Sequence, residues 1–185
     1  MNILMRLRQS LFLITILYLC TMLSGCIVEP QDVPTFPVGE VEGYVPLYAS
    51  ADDLSISFTS PQPVQQPGKI YTISGYLLIN EKHRGIHVFN NADPSNPIPV
   101  GFLKMLGNTE MAIRGNVLYA DHVTDLVALD IQDWNNITEL SRLKQEHWNQ
   151  EFPPVTGTYF ACIDRSKGIV IGWALATLKN PKCYR

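Results

Sequence analysis

Hydrophobic residues between positions 68 and 145 occur in short runs separated by turns rich in Gly, Asn, Asp and Pro. Short apolar runs bounded by such residues are typical of β-strands and are too short for helices. The fold class predicted for this region is therefore all-β. The predicted strands are Lys69–Ile73, Tyr76–Asn80, Gly85–Phe89, Val100–Met105, Met111–Ile113, Val117–Ala120, Leu126–Asp130 and Glu139–Leu143.

This pattern of strands occurs twice, at a spacing of 40 residues. When residues 70–104 are placed on residues 110–144 without a gap, seven identical pairs coincide. A repeat of about 40 residues built from four short strands is typical of a β-propeller blade. The identical pairs are Ile73/Ile113, Gly75/Gly115, Leu78/Leu118, Asp93/Asp133, Asn96/Asn136, Leu103/Leu143 and Lys104/Lys144.

A partial third unit is predicted near the C-terminus, after an insertion at residues 145–156. Placing Gly168-Ile169 on Gly85-Ile86 also brings Tyr159 onto Tyr76. The predicted repeat domain covers residues 68–185, with blades at 68–106, 107–145 and, in part, 157–185.

Such a partial β-propeller has a physical difficulty. Blades close into a ring at about four to eight, so two or three blades leave an apolar face open at each end of the stack. We therefore expect either that the chain is a fragment of a longer protein or that another chain completes the ring.

The first 25 residues carry the pattern of a lipoprotein signal peptide. A basic start with Arg6 and Arg8 precedes the apolar run Leu11–Leu23, and Ser24-Gly25 leads into Cys26. The run is short for a bilayer span. The segment resembles a bacterial lipobox in which Cys26 receives the lipid. We expect a mature chain tethered to the membrane by its acyl groups; the alternative is an ordinary signal peptide or anchor with an incidental cysteine.

Residues 26–67 are predicted to be an acylated N-terminus and a Pro-rich tether. Seven of the thirteen prolines lie there. Because proline removes a backbone donor and fixes φ, we do not expect this stretch to form central sheet. Tyr44 and Tyr48 predict that a patch of the tether docks on the domain.

Charge and cysteine usage narrow the partners. Without residues 1–25 the chain has 12 basic and 17 acidic residues, a net charge of about −5, which argues against a nucleic-acid partner.

Cys162 and Cys183 remain after Cys20 leaves with the signal and Cys26 is acylated. Thiols outside the cytoplasm tend to pair, so these two are disulfide candidates; free thiols or partners elsewhere are the alternatives.

The repeat corners carry acidic and amide side chains at equivalent places, namely Asp93 with Asn96 and Asp133 with Asn136. An aspartate at such a corner can accept from backbone N–H groups and stabilise the turn. We therefore predict a structural role for these four residues.

A family resemblance follows from these corners. The run from Gly85 to Pro97, GIHVFNNADPSNP, resembles the LVIVD-type repeat, and residues 118–131 resemble the same unit. Together with the lipobox and the Pro-rich stretch, the chain is similar to the N-terminal part of β-propeller lipoproteins of Bacteroidota. The resemblance implies a propeller fold on the outer membrane and transfers no catalytic residue.

Candidate chemistry is sparse in the sequence. Glu81, His83 and His87 cluster, but the Arg84-Gly85 turn spoils a shared metal geometry. The aspartates near residues 121–133 lack the spacing of a calcium loop. We predict no metal site, no cofactor and no catalytic constellation. Three tryptophans (Trp134, Trp148, Trp173) and two tyrosines (Tyr119, Tyr159) could stack on sugars, although packing between blades is the commoner role.

The function predicted from these features is a non-catalytic binding or scaffolding module at the cell envelope. It would sit on the outer membrane through the lipid on Cys26, and its ligand would be a protein or a glycan. Two alternatives remain: an enzyme whose site is built from propeller loops, and a truncated, inactive remnant.

Overall fold

A computed structural model describes residues 34–144 and 151–185. These residues fold mainly as strands, with short 3₁₀ helices at Ala51–Leu54 and Arg165–Lys167. No helix within the described ranges is long and apolar enough to cross a membrane. The strands are β1 (Glu40–Ala49), β2 (Ser57–Thr59), β3 (Pro67–Ile73), β4 (Tyr76–Glu81), β5 (Gly85–Asn90), β6 (Ile98–Lys104), β7 (Met111–Arg114), β8 (Val117–His122), β9 (Asp125–Asp130), β10 (Thr138–Lys144), β11 (Tyr159–Phe160), β12 (Ile169–Lys179) and β13 (Cys183–Tyr184).

The strands form three sheets, which confirms the all-β prediction. The first repeat sheet has the order β2-β6-β5-β4-β3, and the second repeat sheet has the order β10-β9-β8-β7. The terminal sheet has the order β12-β1-β11-β13. All eight predicted strands are present, and within each repeat four consecutive strands pair antiparallel with their neighbours in sequence.

The two repeats each begin with a two-residue hairpin. Two residues, Ser74-Gly75 or Gly115-Asn116, join the first two strands of each repeat. Ser74, Gly75 and Gly115 have φ of 44°, 79° and 58°. Positive φ matches the right-handed twist of paired strands, and glycine adopts it without strain. Both central residues of the first turn have positive φ, as in a type I′ turn, whereas in the second turn only Gly115 does, as in a type II′ turn. Gly75 is the second central residue of its turn and Gly115 the first, so the glycines that the sequence repeat aligns occupy different turn positions.

The next turn differs between the repeats. Residues 82–84 join β4 to β5, whereas only Val123 and Thr124 join β8 to β9. The structural offset is therefore 41 residues for the first hairpin and 40 for the remaining strands. Because side chains alternate between faces, one residue of slip reverses the face. By strand register, Leu78 corresponds to Tyr119, not to Leu118 as the ungapped alignment suggests.

The main core lies between the two repeat sheets. The first sheet contributes Leu78, Ile86 and Leu103, and the second contributes Leu118, Val127 and Leu129, all at most 1% exposed. At the rim of this core, Trp134 stacks on Phe58 with ring centroids 5.8 Å apart. Each buried aliphatic side chain stabilises the fold by roughly 1.5–3 kcal/mol relative to an exposed one.

The predicted tether is wrong for part of its length. Glu40–Ala49 forms β1 and pairs along its length with β12, while Ser57–Thr59 adds β2 to the edge of β6. The only proline inside β1 is Pro46, and β11 pairs with β1 only at Gly43 and Tyr44. Pro46 therefore lies where β1 has a neighbour on one side, a place at which proline is tolerated.

The predicted partial third blade is also wrong. β12 begins at Ile169, as β5 begins next to Ile86, but the neighbour of β12 is β1 from the other end of the described chain. β12 has eleven residues without a turn, whereas β5, with which the alignment equates it, has six. The terminal sheet is instead anchored on the repeats through Ala49, Val123 and Ile171.

Candidate functional site

The repeat sheets expose two apolar faces that are the counterparts of the faces they bury. In the first sheet, Asn80, Ile86 and Leu103 form one cross-strand row. In the second sheet the equivalent row is Asp121, Leu126 and Leu143. Ile86 and Leu103 are 0% exposed because the second sheet covers them, whereas Leu126 is 36% and Leu143 is 61% exposed.

The next row gives the same contrast. Leu78 pairs with Val88, and both are fully buried. Their equivalents are Tyr119 and Ala128, which pair in the second sheet, and Tyr119 is 40% exposed. We call Tyr119, Leu126, Ala128 and Leu143 the outer face of the second sheet. Its composition is that of a sheet face to be covered, and contiguous exposed apolar surface marks interaction sites.

The first sheet shows the reciprocal pattern on its other side. Ile70 pairs with Ile79 in the first sheet, and the equivalent pair in the second sheet is Met111 with Ala120. Met111 is 3% exposed and lies in the core between the sheets, whereas Ile70 is 62% exposed. We call Ile70, Leu77, Ile79 and Phe89 the outer face of the first sheet; the last three are half-buried.

One end of this first outer face is closed by the chain itself. The Glu81 carboxylate accepts from the main-chain N–H groups of Gln65 at 3.0 Å and Gln66 at 2.5 Å. His87 Nε2 lies 2.9 Å from the same carboxylate, and both side chains are buried. Burial raises the pKa of Glu81, but the bonds from Gln65, His87 and Gln66 outweigh it and hold this pKa below its ordinary value.

A buried polar junction connects the two sheets. Asn80 donates to Asn108 Oδ1, and Asn108 Nδ2 donates to Asp121 Oδ1 at 2.7 Å. Asp121 also accepts from the N–H groups of Thr109 at 2.9 Å and Glu110 at 2.8 Å. Asn80 and Asp121 occupy equivalent repeat positions, so the linker residue Asn108 joins the same point of both repeats. Sequence reasoning missed this junction, although polar residues inside apolar strands were the available signal.

The corner aspartates, for which a structural role was predicted, accept hydrogen bonds within their own turns. Asp93 Oδ1 accepts from Ser95 N at 3.0 Å, and Asp133 Oδ1 accepts from Asn135 N at 2.9 Å. Asn96 and Asn136 contribute their main-chain N–H groups, which donate to the carbonyl oxygens of Asp93 and Asp133. Hydrogen bonds from the Ser95 hydroxyl and N–H lower the pKa of Asp93. These contacts stabilise turns.

The cysteines fall into two groups. Cys162 and Cys183, the disulfide candidates, are bonded to each other in the terminal sheet, where Phe160 pairs with Cys183. Cys26, the predicted lipidation site, lies outside the described residues. The structure therefore describes the disulfide and leaves the lipidation of Cys26 a prediction.

The histidines of the candidate metal cluster point to different places. His87 contacts Glu81, whereas the ring of His83 lies against Gly172 of the terminal sheet, where a Cβ would collide with it. Burial lowers the pKa of His83. Among residues 34–144 and 151–185, no group of three or more His, Cys, Asp or Glu residues is placed to hold a metal ion.

The aromatic side chains differ in their availability. Trp134 is 5% and Trp173 is 8% exposed, so neither presents a ring face to a sugar. Trp173 packs edge-on against Phe160; Trp148 lies outside the described residues. An open groove of about 420 Å³ runs along the rim of the repeat core beside Trp134 and Arg142. The guanidinium of Arg142 is already engaged by Glu139 and Asp125.

Comparison of the chain with protein-family models, characterised proteins and solved structures finds no match. The site must therefore be interpreted from its own geometry. The described residues offer two apolar sheet faces, each the repeat equivalent of the face that the other sheet buries. They also offer a groove at the rim of the core and several polar clusters whose members form hydrogen bonds with one another. This arrangement is suited to holding another apolar sheet.

Proposed function

We propose that this protein is a lipid-anchored binding or scaffolding module of the cell envelope, located on the outer membrane and non-catalytic. In this proposal the repeat sheets are blades of a partial β-propeller of the LVIVD-repeat type. The observation that carries the proposal is the contrast between Leu103, 0% exposed, and its repeat equivalent Leu143, 61% exposed. A sheet face designed for burial and left open is a surface for a partner.

The anchoring part of the proposal is supported by the N-terminal pattern. A basic start, an apolar run and small residues before Cys26 are what a lipoprotein signal requires. Two or three acyl chains hold a protein on a membrane durably, since each buried methylene contributes roughly 0.8 kcal/mol. The disulfide between Cys162 and Cys183 fits a compartment outside the cytoplasm.

The binding part is supported by the state of the polar side chains. The buried carboxylates of Glu81 and Asp121 are saturated with hydrogen bonds from neighbouring main-chain groups. Each of their four oxygens accepts at least one hydrogen bond from the protein. The apolar outer faces are thus the surfaces best suited to recognition, and they favour a protein ligand over a glycan.

Acylation is tested by labelling bacteria that produce the full chain with radioactive palmitate. We expect label on the unmodified chain and on a Cys20→Ala variant, whose cysteine also lies in the leader. A Cys26→Ala variant should carry no label. Label that persists on Cys26→Ala would overturn the anchoring proposal.

The non-catalytic character is tested with the purified, acylated protein. Incubation with libraries of glycosides, lactones and peptides should give no turnover above that of the buffer. Turnover that increases with protein concentration and disappears on heat unfolding would show that the enzyme alternative is correct.

A further inference from the structure

We propose that several copies of this chain stack head to tail, so that the outer face of the second sheet in one copy covers the outer face of the first sheet in the next. The occupant of each open face is thus a second copy of the same chain. This inference deepens the proposed function, on which it rests, by naming the partner. It predicts a closed ring of repeat sheets assembled on the membrane from several chains.

The junction inside one chain is the template for the junction between chains. Within the chain, the face bearing Ile86 and Leu103 packs against the face bearing Met111 and Leu118. By strand register, the open faces are the repeat equivalents of these two, with Leu126 and Leu143 on one sheet and Ile70 on the other. A copy placed by the same rotation brings an Ile86-type face onto a Met111-type face again. Each open face therefore has its complement on the same molecule.

Charges near the faces agree with this stacking. Lys69 and Glu110 occupy equivalent repeat positions and form an ion pair across the internal junction. Both side chains keep about half of their surface exposed, at 51% and 56%. In a head-to-tail stack, each junction between copies again places a lysine of one copy beside a glutamate of the next. Opposite charges at equivalent positions favour this order over a face meeting its own copy.

Two surfaces that differ from each other generate a ring when the rotation closes and a filament when it does not. Propellers of four-stranded sheets close at about four to eight sheets. Since each chain supplies two repeat sheets, closure needs about two to four copies. The segment at Gln65 and Gln66 closes the first outer face at Glu81. His87 and Phe102, which continue the row of Ile70 and Ile79, are also buried, each 2% exposed. The part of this face that stays open for the neighbouring copy is therefore the edge strand with Ile70, which is 62% exposed.

The test uses the full chain, purified from membranes in detergent, and three single substitutions of exposed residues. Leu143→Glu charges the outer face of the second sheet, and Ile70→Glu charges that of the first. Leu175→Glu is the matched control, because Leu175 is 59% exposed on β12 of the terminal sheet, outside both faces. Circular dichroism should match that of the unmodified chain for all three variants, since the three side chains are exposed in the single chain. The unfolding midpoint should match it for Leu175→Glu and fall for the two face variants, because they lose the stabilisation that assembly provides.

We expect sedimentation with detergent matching to give one species of about two to four copies for the unmodified chain and for Leu175→Glu. Leu143→Glu alone and Ile70→Glu alone should each be monomeric, because burying an unpaired charge prevents the junction. An equimolar mixture of the two should form a dimer, since one intact junction can still be built from the unmodified face of each variant.

The mixture separates head-to-tail stacking from symmetric pairing. If the second outer face paired with itself, Ile70→Glu would still associate and the mixture would gain nothing. That result, or a monomeric unmodified chain, would overturn the proposal. A chain that is monomeric but acylated on Cys26 would overturn the ring while leaving the anchored binding module standing. A chain that assembles but carries no acyl group would overturn the lipid anchor while leaving the ring standing.

Discussion

The two repeat sheets share the order of their four repeat strands and their corner turns, yet equivalent residues have opposite environments. Leu103 is 0% exposed in the first sheet, and Leu143 at the same repeat position is 61% exposed in the second. On the other side the contrast reverses, since Ile70 is 62% exposed and Met111 is 3% exposed. The repeat therefore encodes a unit with two apolar faces, and position in the stack decides which of them is buried.

The largest expected difference lies in alanine substitutions at this pair. Leu103→Ala should lower the free energy of unfolding by about 2–5 kcal/mol, because it leaves a cavity in the packed core. Leu143→Ala should change it by less than about 0.5 kcal/mol, because the side chain is exposed in the single chain. Urea unfolding at a concentration at which the chain is monomeric measures both. Equal losses would show that the second outer face is covered within one chain.

This contrast also shows how far the sequence predicted the fold. All eight strands of the repeats were predictable, because apolar runs bounded by Gly, Asn and Pro are local signals. The structural equivalence of Leu78 and Tyr119 was not predictable. The turn at Val123 has one residue fewer than the turn at residues 82–84, and this shifts the register and reverses the face. An ungapped alignment cannot detect such a slip.

Non-local pairing explains the other errors. β1 and β12 are separated by more than a hundred residues, and no local pattern states which strand each will pair with. Proline content suggested a tether, but seven prolines over 26–67 leave most of β1 free of them. The junction at Asn108 depends on three segments meeting, so the sequence showed its residues without their contacts.

The polar junction provides the second prediction, at the equivalent positions Asn80 and Asp121. Asp121→Ala should lower the free energy of unfolding by about 2–4 kcal/mol, because it leaves the N–H groups of Thr109 and Glu110 without an acceptor. Asp121→Asn, which copies the residue of the first repeat, should lower it by only about 1 kcal/mol. Its amide oxygen still accepts these bonds, and the Thr109 hydroxyl can rotate to accept from the new amide N–H.

The control for this pair is Asn80→Ala, which removes the bonds that its amide donates to Asn108 and, at 3.3 Å, to the Gly85 carbonyl. Its loss of stability should lie between those of the two Asp121 variants. The measurement is urea unfolding of all three variants. If Asp121→Asn were as damaging as Asp121→Ala, the charge of the carboxylate would matter more than its acceptor oxygens, and the comparison of the repeats at this position would fail.

The third prediction concerns pH, at the equivalent positions Glu81 and His122. Burial first, and then the nearby Arg142, lower the pKa of His122 below its ordinary value of 6.5. The neutral imidazole thus stabilises the fold above about pH 6.5, and this stabilisation is lost as the pH falls below that value. The buried His83 acts in the same direction. The pKa of Glu81 is lowered from 4.5, so the stabilisation that its carboxylate contributes is present above pH 4.5 and is lost as the pH falls below that value.

Stability should accordingly fall in two steps on acidification, and single variants should separate them. His122→Gln should flatten part of the step that begins near pH 6.5, the rest of which belongs to His83, while keeping the step below pH 4.5. Glu81→Gln should flatten part of the lower step, to which Asp93, Glu139 and Asp164 also contribute through lowered pKa values. The measurement is the free energy of unfolding at each pH. A profile of His122→Gln identical to that of the unmodified chain would contradict the assignment.

The smallest expected effect is at the repeat corners. Asp93→Ala and Asp133→Ala each remove an acceptor from one exposed turn, so both should lower the unfolding midpoint by less than the substitutions in the core and at the polar junction. Asp93 should matter more, because it accepts from both the hydroxyl of Ser95 at 2.7 Å and its N–H at 3.0 Å. Asp133 has one good bond, from Asn135 N at 2.9 Å, and a long one from the Asn135 side chain at 3.4 Å. Thermal unfolding of the two variants ranks them, and Asp133→Asn serves as a control that keeps an acceptor. A larger loss at Asp133 would contradict this ranking by hydrogen bonds.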